Sequence, residues 1–216
     1  MVLDNYRATL DWWLIPLARS FRHVHPDVFT WLSLLCAIVG GLAFWQSGAD
    51  ETGLRLLGAA WLLVLLNSIL DLLDGKVAHM VGKATPRGDY LDHAIDRFSD
   101  AVLILGLAFS PFGNPKAGAV ALLGTLLASY MGTQAQAVGM RRNYGGLLGR
   151  ADRMVLLLAI PLVEIGRVAL GYAMPFGLAG AIEAMLWYFG IVGGLTAIQR
   201  FVVTLRGFGP DGRIKP

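Results

Sequence analysis

The chain has 216 residues, of which 56% are hydrophobic and 15% charged, and its formal net charge is +3. This composition is too apolar for an ordinary soluble domain of the same length, and it predicts an all-α integral membrane protein. Cys36 is the only cysteine and lies in an apolar run, which excludes a disulfide framework and a cysteine-based metal site.

The first predicted element, residues 1–24, is an amphipathic helix. Apolar side chains recur at spacings of three and four from Leu3 to Phe21, whereas Asp4 and Arg7 fall mostly elsewhere. This pattern is typical of a helix that lies in the membrane interface. Because charged residues come before any long apolar run, the segment does not resemble a cleaved signal peptide.

Six apolar runs follow the first helix, and each is long enough for a membrane span of about 20 residues. The connections are short, so the sequence predicts one domain over residues 1–216, with six transmembrane helices bundled in 25–205 and a cytoplasmic tail in 206–216. The predicted spans are centred on residues 28–47, 54–74, 92–112, 117–139, 154–173 and 180–204.

Positive charge is distributed unevenly along this pattern. Fifteen of the 18 Lys and Arg residues lie in the N-terminal segment, the second and fourth connections between spans, and the C-terminal stretch. These segments share one side of an even-numbered bundle, so the positive-inside rule places both termini at the cytoplasmic side of the cell membrane. Because the basic residues flank spans and form no soluble stripe, membrane lipids are expected partners and nucleic acid is not.

Residues 71–100 carry six of the chain's fifteen carboxylates although their surroundings are apolar. On a helix, residues at offsets of 0, 3, 4 and 7 share one face. The second apolar run ends with two carboxylates and two small residues at these offsets, Asp71, Asp74, Gly75 and Ala78. This face predicts a polar site on the cytoplasmic side with room for a flat or bulky ligand.

The third predicted helix repeats the pattern after a turn-forming segment. Gly88, Asp92 and Asp96 lie at offsets of 0, 4 and 8, again on one face. Helices joined by a short loop run antiparallel, so four carboxylates should meet and attract hard divalent cations, which also bind substrate phosphates. Ion pairing or helix capping is the preferred interpretation of Asp89 and Asp100.

Together these residues resemble the motif of the CDP-alcohol phosphotransferases. The family pattern is Asp-x2-Asp-Gly-x2-Ala-Arg-x8-Gly-x3-Asp-x3-Asp, and seven of its eight fixed positions match at the correct spacing. His79 stands where the family has arginine. In the family this arginine is part of the nucleotide side of the motif, so the substitution concerns the contacts with the diphosphate. The matching residues are Asp71, Asp74, Gly75, Ala78, Gly88, Asp92 and Asp96.

The resemblance implies Mg²⁺- or Mn²⁺-dependent transfer of a phosphatidyl group from CDP-diacylglycerol, or a similar CDP-lipid, to a polar alcohol, with release of CMP. It implies two metal ions, a homodimer, and Asp96 as the base that takes the acceptor's hydroxyl proton. It also assigns Asp27 and Thr30 to nucleotide binding, although from the residues alone they could equally cap the first spanning helix. The implied metal ligands are Asp71, Asp74, Asp92 and Asp96, and the implied nucleotide-binding residues are Asp27, Thr30, Gly75, Ala78, His79 and Gly88.

The acceptor is predicted from arginines at the cytoplasmic ends of later helices. Residues 150–153 and 196–200 resemble the segments with which bacterial phosphatidylinositol phosphate synthases hold the phosphate of inositol phosphate. Guanidinium groups suit phosphate oxygens, so Arg150, Arg153 and Arg200 are expected to bind a phosphorylated acceptor. The lysine expected in the fourth helix is replaced by amides in residues 130–136. Inositol phosphate is therefore preferred, with glycerol 3-phosphate or an uncharged alcohol left open.

Two other function classes place acids in membrane helices. A UbiA-type prenyltransferase needs more spans and a second, distant acid motif. A cation transporter carries carboxylates near mid-membrane, often on repeated halves. The sequence shows none of these features.

The remaining polar residues have less definite predictions. His23, His25 and His93 are expected to be interfacial or packing residues. Glu164 and Glu183 are expected towards the outer side, with no evident role.

Overall fold

The computed structural model describes residues 7–215, and side chains from residue 12 onward. These residues form seven α-helices and one short 3₁₀ turn, and they contain an isolated bridge, Phe208 to Ile214, but no strand. The all-α prediction is therefore confirmed. The helices are α1 Arg7–Ser20, α2 Pro26–Trp45, α3 Glu51–Met80, α4 Pro86–Ala108, α5 Pro115–Ala137, α6 Arg150–Ala169 and α7 Ala181–Arg206, and the 3₁₀ turn is Pro175–Gly177.

Each of the six apolar runs corresponds to one helix from α2 to α7. The helix α3 continues to Met80, so all of the first acidic face is helical. The helix α4 begins earlier than its apolar run because Pro86 occupies a first-turn position and Thr85 Oγ1 accepts the backbone N–H of Gly88 at 3.1 Å. Both motif segments therefore lie on regular helices, separated by residues 81–85.

The alternative that Asp27 or Thr30 caps the first spanning helix is wrong. The N-cap of α2 is His25, whose Nδ1 accepts the backbone N–H of Asp27 at 3.4 Å. Pro26 follows as the first helical residue. Asp27 and Thr30 consequently lie inside the first two turns, where their side chains make other contacts.

The chain is a multi-pass membrane protein. Within residues 7–215, three helices are long and apolar enough to cross a membrane by length and composition, namely α2, α3 and α7. The helices α4, α5 and α6 have 23, 23 and 20 residues. The predicted count of six spans and the interfacial position of the N-terminal helix remain predictions, and residues 1–6 of that helix lie outside the described range.

Close helix contacts at glycine determine how the two acidic helices are arranged. A Cβ on Gly106 of α4 would collide with the carbonyl oxygen of Gly41 on α2, so glycine is needed for these backbones to approach. The helix α2 also packs along α3, whereas few contacts join α3 to α4 directly. This arrangement leaves space between the acidic faces of α3 and α4.

The bundle has two ends that differ in their charged residues. The acidic end is where α3 ends and α4 and α6 begin, and the glutamate end is where α6 ends and α7 begins. The helix α1 packs at the acidic end, because Leu14 and Ala18 join Phe29, Leu73 and Val77 in a small apolar core. A larger apolar core fills the rest of the bundle.

Candidate active site

At the acidic end, one arginine connects carboxylates from two helices. Arg150, the first residue of α6, donates from Nη1 and Nη2 to the two oxygens of Asp71 at 2.8 and 3.0 Å. Its Nη2 also lies 2.5 Å from Oδ1 of Asp96 on α4. Asp71 and Asp96 therefore converge closely enough to share one cationic group.

Asp74 is the second motif acid of α3, and it is 6% exposed. Thr30 Oγ1 donates a hydrogen bond to Asp74 Oδ2 at 2.7 Å. Because Thr30 lies on α2, this bond fixes the acid relative to the helix that separates α3 from α4. Thr30 thus contacts a predicted metal ligand rather than capping its own helix.

A compact set of possible ligand atoms lies on α4. One atom from each of Asp92, His93 and Asp96 falls within 4.8 Å of the others. His93 Nδ1 lies 3.3 Å from Asp92 Oδ2, and its Nε2 contacts the Arg142 side chain. From the sequence, His93 is expected to be an interfacial or packing residue. His93 lies off the face defined by Gly88, Asp92 and Asp96, but its spacing of three from Asp96 is a signal for this grouping.

A cavity of about 740 Å³ opens between the beginnings of α2 and α4 and the end of α3. A Cβ on Gly75 would meet no heavy atom within 4 Å beyond its own turn of helix, so the small residue borders open space. Two predicted metal ligands, Asp74 and Asp92, also line the cavity. The lining includes all six residues predicted to bind the nucleotide, Asp27, Thr30, Gly75, Ala78, His79 and Gly88.

Arg153 lies in a buried ion pair one turn along α6 from Arg150. Its side chain is 5% exposed, and Nη2 donates to Asp100 Oδ2 at 2.7 Å. Arg97 lies 3.6 Å from the same carboxylate oxygen. The ion-pairing interpretation of Asp100 is therefore confirmed, and Asp100 holds Arg153 between α4 and α6.

Arg200 is placed differently, although it is also buried. Its guanidinium donates three hydrogen bonds to backbone carbonyl oxygens, which tie α7 to α5 and to the α5–α6 loop. The acceptors are Ala128 at 2.6 Å, Gly145 at 2.7 Å and Tyr144 at 3.2 Å. A second cavity of about 400 Å³ adjoins this arginine and is lined by Gln199 and residues 143 and 145–147 of that loop, together with Val203. The three arginines predicted to bind the acceptor thus have three distinct sets of partners.

The donor atoms of the acidic end fit divalent metal ions such as Mg²⁺ or Mn²⁺. These ions prefer carboxylate oxygens, and four carboxylates from α3 and α4 are available. Asp71 and Asp96 both contact the guanidinium of Arg150, so a positive group already fits between them. Arg150 Nη2 lies 2.5 Å from Asp96 Oδ1, but no described residue makes a well-directed hydrogen bond to this buried oxygen, which leaves lone-pair capacity for a cation.

The fold and site define a helical membrane enzyme that acts on a phosphate-containing substrate beside an acid cluster. The sequence model described as CDP-alcohol phosphatidyltransferase matches residues 23–196. The chain belongs to this family, and it is a transferase of substituted phosphate groups. The matched region contains the whole acidic motif and all the residues that line the cavity at the acidic end.

Relatives within the family are similar over almost their full length. The chain is 30% identical over 214 residues to the phosphatidylinositol phosphate synthase of Cutibacterium acnes, with 95% of this chain and 98% of that protein covered. It is 31% identical over 204 residues to the archaetidylinositol phosphate synthase of Aeropyrum pernix, with 93% and 95% covered.

A solved structure shows the same fold. The Mycobacterium tuberculosis phosphatidylinositol phosphate synthase with CDP-DAG bound superposes with a TM-score of 0.72 at 25% identity, covering 94% of this chain and 98% of that one.

Proposed function

We propose that the protein transfers the phosphatidyl group of CDP-diacylglycerol to a polar alcohol, preferably inositol phosphate, with release of CMP. The observation that carries the proposal is the cavity at the acidic end. All six residues predicted to bind the nucleotide line it, and so do two of the four motif acids. The phosphatidylinositol phosphate synthases among its relatives, and CDP-DAG in the M. tuberculosis structure, support this choice of donor and acceptor.

The proposed metal site uses Asp71, Asp74, Asp92 and Asp96, with His93 beside them. Two divalent ions held there would neutralise the donor's diphosphate and stabilise the CMP leaving group. The Thr30 hydroxyl orients Asp74 through its 2.7 Å hydrogen bond. Small residues on both acidic faces let the nucleotide approach the carboxylates closely.

Asp96 is the proposed general base. The acceptor hydroxyl loses its proton to the Asp96 carboxylate while its oxygen forms a bond to the phosphorus of the phosphatidyl group. The bond from this phosphorus to the CMP oxygen breaks, and CMP leaves with the electron pair. The position of Asp96, buried and joined through Arg150 to Asp71 on α3, supports this role.

The acceptor is proposed to lie on the α6 side of the acids. Arg150 and Arg153 begin α6 there, and Arg200 borders the second cavity. A phosphate on the acceptor would be attracted to this arginine-rich region. Glycerol 3-phosphate and uncharged alcohols are the alternative acceptors, because the stretch 130–136 carries amides and no cation.

We infer six spans in one domain, with the acidic end and both termini in the cytoplasm. At about 1.5 Å per residue, helices of 20 and 23 residues match or exceed the roughly 30 Å thickness of the hydrocarbon core. The interfacial position of α1 is supported by Trp12, which is 76% exposed beside the buried Leu14. A homodimer is proposed by analogy with the family. Labelling of single cysteines added to the loops at either end tests the topology.

An acceptor panel is the direct test of the proposed function. Purified protein with Mg²⁺ and CDP-diacylglycerol should release CMP fastest with inositol phosphate, compared with glycerol 3-phosphate and inositol. Chelation with EDTA should stop the reaction. If CMP appears with none of the alcohols, the proposed transfer is wrong.

Variants of the arginines locate the acceptor. Arg153→Ala or Arg200→Ala should raise the KM for the acceptor several-fold more than the KM for the CDP-lipid, because the phosphate loses a charge-assisted partner. The opposite pattern would place these arginines on the donor side. Thermal unfolding of both variants is needed as a control, since each arginine also makes buried contacts.

A further inference from the structure

Arg87 is a basic residue of the cavity that lies outside the fixed positions of the motif. It is in the first turn of α4, and its Nη1 donates to Asp27 Oδ2 on α2 at 2.5 Å. The Arg87 side chain is 72% exposed and that of Asp27 is 22% exposed. Because both residues line the cavity, their ion pair lies at its solvent-exposed edge.

The negative charges around the cavity favour a positively charged side chain at this edge when a diphosphate binds. Four carboxylates line it, from Asp27, Asp74, Asp89 and Asp92. A cytidine diphosphate headgroup brings further negative charge, and the carboxylates repel it wherever metal ions do not intervene. A phosphate that faces away from the metal side therefore needs a positive protein group.

The position expected to supply such a group carries a histidine. His79 replaces the motif arginine on α3 and lines the same cavity. An imidazole has at most two N–H donors, whereas a guanidinium presents five in a planar fork that matches phosphate oxygens. The substitution therefore removes donors from the α3 side of the cavity.

We propose that Arg87 supplies this missing guanidinium from α4 and binds a phosphate oxygen of the CDP headgroup. The inference rests on the proposed function, because it concerns the same donor. The hydrogen bond to Asp27 uses Nη1, and the other guanidinium N–H groups make no hydrogen bond to any described residue. Arg87 can thus hold Asp27 and a phosphate at once.

Lys83 also carries a permanent positive charge and lines the cavity, but it suits the role of phosphate ligand less well. It lies in the connection between α3 and α4, whereas Arg87 is fixed on a helix that Thr85 caps. Lysine also offers a single ammonium group rather than a fork. Lys83→Ala is accordingly a comparison variant, with a smaller expected effect on phosphate binding.

Ligands that differ only in phosphate content test the proposal. Binding of CDP, CMP and cytidine is measured on the purified full-length protein with Mg²⁺. Arg87→Ala should weaken CDP binding about tenfold or more, as expected for a charge-assisted hydrogen bond, and leave cytidine binding unchanged. Arg55→Ala is the matched control, because Arg55 forms an exposed 2.6 Å ion pair with Glu51 at the other end of α3.

The double variant His79→Arg, Arg87→Ala supplies the second test. Returning arginine to the motif position should restore most of the lost CDP affinity, and Arg87→Lys should retain part of it. Unchanged CDP binding in Arg87→Ala, an equal loss for cytidine, a larger loss in Lys83→Ala, or no rescue by His79→Arg would each overturn the inference.

These outcomes are separable from the fate of the proposed function. If the unaltered protein binds CDP but transfers no phosphatidyl group, the proposed function fails while the Arg87 result still stands. If transfer occurs and Arg87→Ala binds CDP normally, only the Arg87 inference fails. Thermal unfolding of each variant confirms that the protein is folded, which is expected because the substituted side chain is largely exposed.

Discussion

Both ends of the bundle contain buried carboxylates, but their surroundings differ. At the glutamate end, Glu164 is fully buried, and its Oε2 accepts the backbone N–H groups of Ala181 and Ile182 at 2.5 and 3.3 Å. Its Oε1 accepts from Arg167 Nε at 2.8 Å. At the acidic end, Asp96 is nearly as buried, and its Oδ1 lies 2.5 Å from Arg150 Nη2 but receives no well-directed hydrogen bond from the described residues.

Glu183 repeats the arrangement of Glu164. Its Oε2 accepts the backbone N–H of Ala179 at 2.7 Å, and its Oε1 accepts from Asn114 Nδ2 at 2.9 Å. Trp187 Nε1 also donates to Oε1, at 3.3 Å. The two glutamates thereby connect α6, the start of α7 and the residue that precedes α5.

The two groups of acids therefore differ in their hydrogen-bond partners rather than in how deeply they are buried. A buried carboxylate that receives donors on both oxygens stabilises the fold and has little capacity left for a ligand. At the acidic end, Asp71 and Asp96 share one arginine. Asp74 and Asp92 border a cavity, so this group of acids retains capacity for cations. Four substitutions test this contrast.

The largest expected effect is the loss of transfer in Asp96→Asn. An amide cannot take the acceptor's proton, so the rate of CMP release should fall by about 10³-fold or more. Binding of CDP should persist in part, and thermal unfolding of the variant is the control, because Asp96 also pairs with Arg150. Full activity in Asp96→Asn would remove Asp96 as the base.

The second effect is on stability at the opposite end. Glu164→Ala should lower the free energy of unfolding by about 3 kcal/mol or more, because a buried ion pair loses one partner. Thermal unfolding in detergent measures it, and activity per folded molecule should be preserved. Glu51→Ala, which breaks only an exposed ion pair, is the control and should change little. A stable but inactive Glu164→Ala protein would contradict the contrast between the ends.

Arg150→Gln should change metal affinity. The guanidinium competes with divalent ions for Asp71 and Asp96, so its removal should tighten Mn²⁺ binding about tenfold. Titration followed by electron paramagnetic resonance measures free Mn²⁺ directly, without reference to catalysis. Equal or weaker Mn²⁺ binding would show that Arg150 does not compete for this site.

The smallest expected effect belongs to Glu183→Gln. The amide keeps one acceptor oxygen but loses the other, so either Ala179 or the Asn114 and Trp187 side chains lose a partner. Stability should fall by about 1 kcal/mol, less than in Glu164→Ala, with transfer unchanged. A loss of transfer without a loss of stability would assign Glu183 a role at the active site.

Much of the fold and part of the candidate site were predictable because they depend on local periodicity. Helical offsets placed the acids and small residues on common faces of α3 and α4, and long apolar runs marked the helices α2 to α7. The capping alternative for Asp27 and Thr30 failed because His25 is the N-cap of α2, and the Thr30 hydroxyl instead reaches Asp74, 44 residues away. His93 was not included in the predicted site, although its spacing of three from Asp96 places the two side chains on one side of α4.

The sequence by itself determined the family, the helical class and the two acidic faces, since each depends on residue identity at short spacing. The tertiary structure decided which charges meet. Arg150 reaches Asp71 across 79 residues, Arg153 reaches Asp100 across 53, and Glu164 receives the first N–H groups of α7. These pairings depend on how the helices pack, including the glycine contact between α2 and α4, and spacing along one helix carries no information about its neighbour.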